Sequence, residues 1–97
     1  MGNKRKDIRK EITNMQLKDT VKLMDSKDYK ERFKAEYWQT RIRKDKLELM
    51  LSKYYADTLD FEPTVPIDLL VAQLEHMENY LSVLMDRAGY EKIELFD

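Results

Sequence analysis

Apolar residues recur every three or four positions along two long stretches of this chain, and that spacing predicts helices. From Tyr29 to Tyr55 the seam runs through Phe33, Tyr37, Thr40, Lys44, Leu47, Leu51 and Tyr54. Its steps alternate four and three, which keeps one stripe on one side of an α-helix. A second seam, over residues 66–88, runs through Ile67, Leu70, Leu74, Met77, Leu81, Leu84 and Ala88. Leu69, Val71, Tyr80, Val83 and Met85 add apolar surface outside that stripe, more than one neighbour needs. A shorter stretch, residues 17–24, spaces Leu17, Val21 and Met24 for a short amphipathic helix. Thr40 and Lys44 interrupt the first seam. A lysine there weakens packing but fixes register, or reaches out to water along its aliphatic stem.

The punctuation agrees with these elements. Between the short stretch and the first long one lies DSKD, where Ser26 suits an N-cap and Asp28 the first turn. Residues 56–66 (ADTLDFEPTVP) form the main connection, because each proline disfavours helix at the residue before it. Leu59 and Phe61 are expected to tuck under and close the end of the core. Pro66 fits a first helical position. Gly89 is expected to stop the last helix, with Arg87 in its final turn. Ile93, Leu95 and Phe96 then offer an apolar tail suited to docking on a neighbour.

At ~1.5 Å per residue the two long helices span about 40 and 35 Å. They match as partners. The expected fold is all-α: an antiparallel helical hairpin of two long helices, preceded by a short N-terminal helix and completed by oligomerisation. Residues 1–14 read as a basic N-terminal extension and 15–97 as a single helical domain. The residues expected to carry packing interfaces are Phe33, Leu47, Leu51, Tyr54, Leu70, Leu74, Met77, Leu81 and Leu84. A hairpin alone would be marginal at 97 residues, because small chains bury a modest share of their surface. A dimer or higher homo-oligomer is therefore expected.

Charge changes the picture by its distribution. The net charge is −1, but residues 1–53 hold 16 Lys and Arg against 9 acids, and residues 54–97 hold 2 against 10. One half is thus +7 and the other −8, an asymmetry that bears on partners and self-association rather than on fold. The simplest consequence is that two helices of opposite sign lie side by side. The chain has no Cys, which removes disulfides and thiolate chemistry. Residues 1–14 lack the apolar centre of a signal peptide, and no run is long enough to span a membrane. The expected location is a cytoplasm.

The inventory for catalysis is thin. The single histidine, His76, has no recognisable zinc spacing to its neighbours and reads as a surface residue. No Gly-rich loop could cradle phosphates. The chain is therefore expected not to be an enzyme and to need no cofactor or metal. Its candidate binding residues lie on the first long helix: Lys34, Tyr37, Trp38, Gln39, Arg41 and Arg43. Cations beside aromatic rings suit flat anionic ligands, where a base stacks and Lys or Arg meets phosphate. The same residues suit a protein interface, or a core in which Trp38 is simply packed. Nucleic acid is not favoured, because acids offset the basic half and no recognition motif is present.

Three segments carry a resemblance. SKDYKERFKAEYWQTRIRKDKL (residues 26–47), ADTLDFEPTVPIDLL (56–70) and MENYLSVLMDRAGYEKIEL (77–95) resemble small proteins of phages and prophages of Gram-positive hosts. Those proteins are labelled as related to a crAss-like phage protein. The family pattern implies an aromatic where Lys44 stands, a Gly near Asp57, a Cys or Ser near Val65 and a Glu near Met85. The resemblance implies a host-cell cytoplasmic setting and a role against host immunity. The leading expectation is thus a phage-encoded, non-catalytic binding protein that inhibits a host anti-phage defence component, in the manner of an anti-CRISPR or another defence inhibitor. A second is a sponge for a cyclic-nucleotide second messenger, with Tyr37, Trp38 and Gln39 on the bases and Lys34, Arg41 and Arg43 on the phosphates. A third is a phage structural or regulatory assembly factor with no ligand.

Overall fold

A computed structural model describes residues 15–96; the predicted basic extension, 1–14, lies outside them. The described chain is all helical. A single 3-10 turn, Leu17–Asp19, leads into α1, Thr20–Met24; two long helices follow, α2, Tyr29–Tyr55, and α3, Ile67–Glu91. The hairpin of two long helices with a short element before it is the architecture the seams predict. Among the described residues no helix is long and apolar enough to cross a membrane.

Side-chain chemistry sets each boundary. Asp28, not Ser26, is the N-cap of α2: its Oδ1 accepts from the Lys30 N–H at 3.0 Å. Ser26 works one step earlier. Its hydroxyl accepts the Asp28 N–H at 3.1 Å and donates to the Glu31 carboxylate at 2.6 Å. These contacts satisfy donors that a helix start leaves without partners. At the far end, the Thr58 N–H reaches the Lys53 carbonyl at 2.9 Å and the Asp57 N–H that of Tyr54 at 3.1 Å. This Schellman pair needs a left-handed residue, and Asp57 supplies it at φ 60°. A Gly at this place in the family pattern would answer the same backbone demand.

Gly89 does not stop α3. The helix passes through it to Glu91, and the left-handed residue is Lys92, at φ 57°. The Ile93 N–H then bonds the Ala88 carbonyl at 2.9 Å, a second Schellman bond. It drops Ile93 beside Ala88, the apolar contact that usually accompanies this motif. The tail therefore docks on its own chain, with Ile93 and Leu95 in the core.

The core sits at one end of the hairpin. Phe33, Tyr37 and Trp38 of α2 meet Leu81, Leu84 and Ala88 of α3, with Ile93 and Leu95 of the tail closing over them. Of the expected interface residues, Phe33, Leu51, Leu81 and Leu84 are buried, Leu47, Leu70, Leu74 and Met77 are half-buried, and Tyr54 is exposed. The seam is thus tight where the tail covers it and looser towards the connection. Leu59 is half-buried there, while Phe61 stays exposed. Lys44 neither enters the seam nor breaks it: its ammonium reaches out to Glu48 at 3.3 Å and Asp45 at 3.5 Å.

The first element presents a different face from the one its apolar spacing predicts. Val21 and Met24 are exposed, and Thr20 is fully buried. Its hydroxyl donates to the Leu17 carbonyl at 2.7 Å and accepts from the Gln39 amide at 3.2 Å. A buried hydroxyl with both roles filled carries no desolvation penalty of the kind an unpaired one would. The 3-10 turn rotates the register, so that Thr20 rather than Val21 meets α2.

Candidate functional site

The return of the tail builds the site. Phe96 reaches back to α2, edge-on to Tyr37 and to Trp38, each at 5.7 Å between centroids. Tyr37 and Trp38 are themselves edge-to-face at 5.4 Å. Arg41 lies on this three-ring cluster, its Cζ 5.3 Å from the Trp38 ring centroid and 5.6 Å from that of Phe96. It also donates to the Tyr37 hydroxyl at 3.2 Å and faces the Asp45 carboxylate at 3.8 Å. A guanidinium held by two rings, a phenol and an acid has little freedom left to lose on binding. Its side chain keeps 32% exposure, enough to meet a ligand.

Beyond Arg41 opens a cleft of about 540 Å³ between α2 and α3. Two facing rows at i, i+4, i+8 spacing line it: Tyr37, Arg41 and Asp45 on α2, and Glu78, Ser82 and Asp86 on α3. Lys44 stands at its edge, Leu81 and Met85 add apolar surface, and the half-exposed Phe96 ring forms one rim. Partial burial works against the Lys44 charge, but the hydrogen bond it donates to the Glu48 carboxylate and the fields of Glu48, Asp45 and Glu78 outweigh it. The net effect holds its pKa above the ordinary lysine value. Lys44 is therefore firmly cationic at neutral pH. The cleft offers two cations, three carboxylates and an aromatic rim. Such a set can stack a flat ring, pair an anion, and accept hydrogen bonds from hydroxyls or amines.

The predicted binding residues divide. Tyr37 and Arg41 come together in this cleft. Trp38 lies beneath Arg41, 4% exposed, its indole N–H donating to the Leu95 carbonyl at 2.8 Å; it is core in this chain and supports the site from below. Lys34 is half-buried on the same side of α2, two turns before Arg41. Gln39 faces away, tied to Thr20 and to the Met24 sulfur at 2.6 Å. Arg43 is exposed on another face. The reading of residues missed Lys44 as a site residue, along with Asp45, Glu78, Asp86 and Phe96. The i, i+4, i+8 rows were a usable signal for the carboxylates. Phe96 had none, because its position depends on the reversal at Lys92.

Fold and site define an all-helical hairpin whose paired long helices hold an open cleft of mixed charge, rimmed by aromatic side chains. The Sequestin family model matches residues 27–90, from just before the α2 N-cap to the end of α3. The chain belongs to the Sequestin family. No curated protein and no solved structure matches it. The matched span holds both rows of the cleft, while α1 and Phe96 lie outside it.

Proposed function

We propose that this protein is a non-catalytic sequestering protein of phage origin, which disarms a host anti-phage defence by holding one of its components. The family's name supports sequestration, and the resemblance to phage proteins supports the setting. The component that suits the cleft best is a cyclic-nucleotide signal. The observation that carries this is Arg41, clamped on Trp38 and Phe96 at the mouth of a 540 Å³ cleft beside Lys44. Phosphate would meet Arg41 and Lys44, a base would stack on Phe96, and Asp86, Glu78 or Asp45 would accept from sugar hydroxyls or base amines. Nothing in this arrangement calls for turnover; stoichiometric binding is enough.

Calorimetry with a panel of cyclic nucleotides at low salt tests it. A binder whose affinity falls at least tenfold in Arg41→Ala, one bidentate anion contact being worth ~1.5–3 kcal/mol, is the expected result. Absence of heat with every member sinks the nucleotide reading. A protein component of the defence is the second reading, favoured by the exposed Leu49, Tyr55 and Phe61 near the connection. Pull-down from a Gram-positive host lysate separates the two.

A further inference from the structure

Away from the tail, the hairpin carries a second cleft, of about 550 Å³, between Thr40 of α2 and Leu69, His76 and Tyr80 of α3. Its α3 wall is a seam of its own. Leu69, Gln73, His76, Tyr80 and Val83 follow one another at steps of four, three, four and three. That is the spacing of a helix surface made to lie along another helix. Leu69, Tyr80 and Val83 are 59, 42 and 54% exposed, so nothing among the described residues covers them. With the flanking Ala72 and Asn79, the strip holds no Asp, Glu, Lys or Arg. The acids of α3 in this region (Asp68, Glu75, Glu78 and Asp86) all lie elsewhere on its circumference. In a chain that is 38% charged, a neutral strip four turns long is a distinct surface.

The facing row of α2 is charged, and its pattern is self-complementary. Glu36, Thr40 and Arg43 repeat the same alternation, an acid four residues before Thr40 and a base three after it. Glu36 is held in this row by the Tyr80 hydroxyl, which donates to its carboxylate. Thr40 and His76 line the same cleft and so lie at the same level of the hairpin. A two-fold axis at that level lays α3 antiparallel on α3, with His76 against its own copy and Leu69 against Val83. The same rotation brings Glu36 of each copy to Arg43 of the other, twice. A foreign apolar helix would answer the strip but not this exchange of charge.

We propose that this face is closed by a second copy of the chain, related by a two-fold axis through the level of Thr40 and His76. The dimer is isologous, as most closed pairs are. The proposal does not rest on the sequestering reading, since the two clefts lie on opposite flanks of the seam.

Because the chain has no cysteine, single-cysteine variants report the axis directly. Under mild oxidation His76→Cys is expected to link into a dimer, and Glu75→Cys, exposed on another side of α3, is not. The unmodified protein should sediment at twice 11.7 kDa at micromolar concentration. Glu36→Arg should weaken the dimer at least tenfold, and adding Arg43→Glu should restore it. Circular dichroism confirms helix in each variant. A monomeric unmodified protein overturns the proposal, as does linkage of Glu75→Cys as fast as that of His76→Cys, or a double charge swap that fails to recover. Any other occupant of the cleft would show itself as the first of these.

Discussion

The indole N–H of Trp38 donates to the main-chain carbonyl of Leu95 at 2.8 Å, a bond that spans 57 residues of sequence. It fastens the tail to the middle of α2 and so determines where Phe96 sits. Trp38→Phe is expected to destabilise the fold by about 2 kcal/mol, since it leaves a buried carbonyl unpaired and removes ring volume. Trp38 is the only tryptophan, so its emission reports the tail. Deleting residues 93–97 should shift that emission to the red, as water reaches the ring. An unshifted spectrum would mean that the tail does not cover Trp38 in solution.

Among the described residues two with side chains occupy the left-handed region, Asp57 at φ 60° and Lys92 at φ 57°. Each closes a helix end that glycine would close without steric cost. Asp57→Gly and Lys92→Gly are each expected to stabilise by about 0.5–1 kcal/mol, the relief of the left-handed conformation less the extra chain entropy that glycine brings to the unfolded state. In a domain of this size that raises Tm by a few degrees. Thermal melts of both single variants check this, and a lower Tm in either would show that its side chain makes a compensating contact.

These two ends also show what could be read from the sequence and what could not. The paired seams were legible because helix periodicity is local, and burial of Phe33, Leu81 and Leu84 follows from it. Gly89 looked like the stop because glycine is the usual left-handed residue, yet no positive-φ glycine occurs among the described residues. The actual reversal falls on Lys92, which composition does not mark. Trp38 remained open between core and ligand contact for the same reason. It lies off the seam, and the tail that helps bury it returns only through the reversal at Lys92. Thr20 was hidden for a different reason: a polar side chain is expected outside unless its partners are known, and those partners, Leu17 and Gln39, depend on a 3-10 turn.

Lys44 gives a pH signature. Its pKa is raised in the folded state, so the folded protein favours the charged form more than the unfolded chain does. The stabilisation from its pairing is fully present below the ordinary lysine value of 10.5 and is lost as pH rises through the folded value. Lys44→Gln should therefore melt below the unmodified protein at neutral pH. The two Tm values should converge under strongly alkaline conditions. A gap that stays constant through that range would assign the difference to packing of the lysine stem instead.

Phe96 separates binding from folding. Its ring is 40% exposed, it belongs to no buried cluster, and the tail is already anchored by Ile93, Leu95 and the Trp38 bond. Removing the ring should thus change stability by less than about 1 kcal/mol, as at other half-exposed positions. For a nucleotide seated in the cleft the loss is larger, since stacking on an aromatic ring is worth ~1–3 kcal/mol per base. Arg41 would also lose one of the two rings that hold its guanidinium. Phe96→Ala is therefore expected to weaken nucleotide binding about tenfold or more, with Tm nearly unchanged, while Phe96→Tyr keeps most of the affinity. Calorimetry and a thermal melt on the same samples decide it. Equal affinity in Phe96→Ala would move the base away from the tail and onto another wall of the cleft.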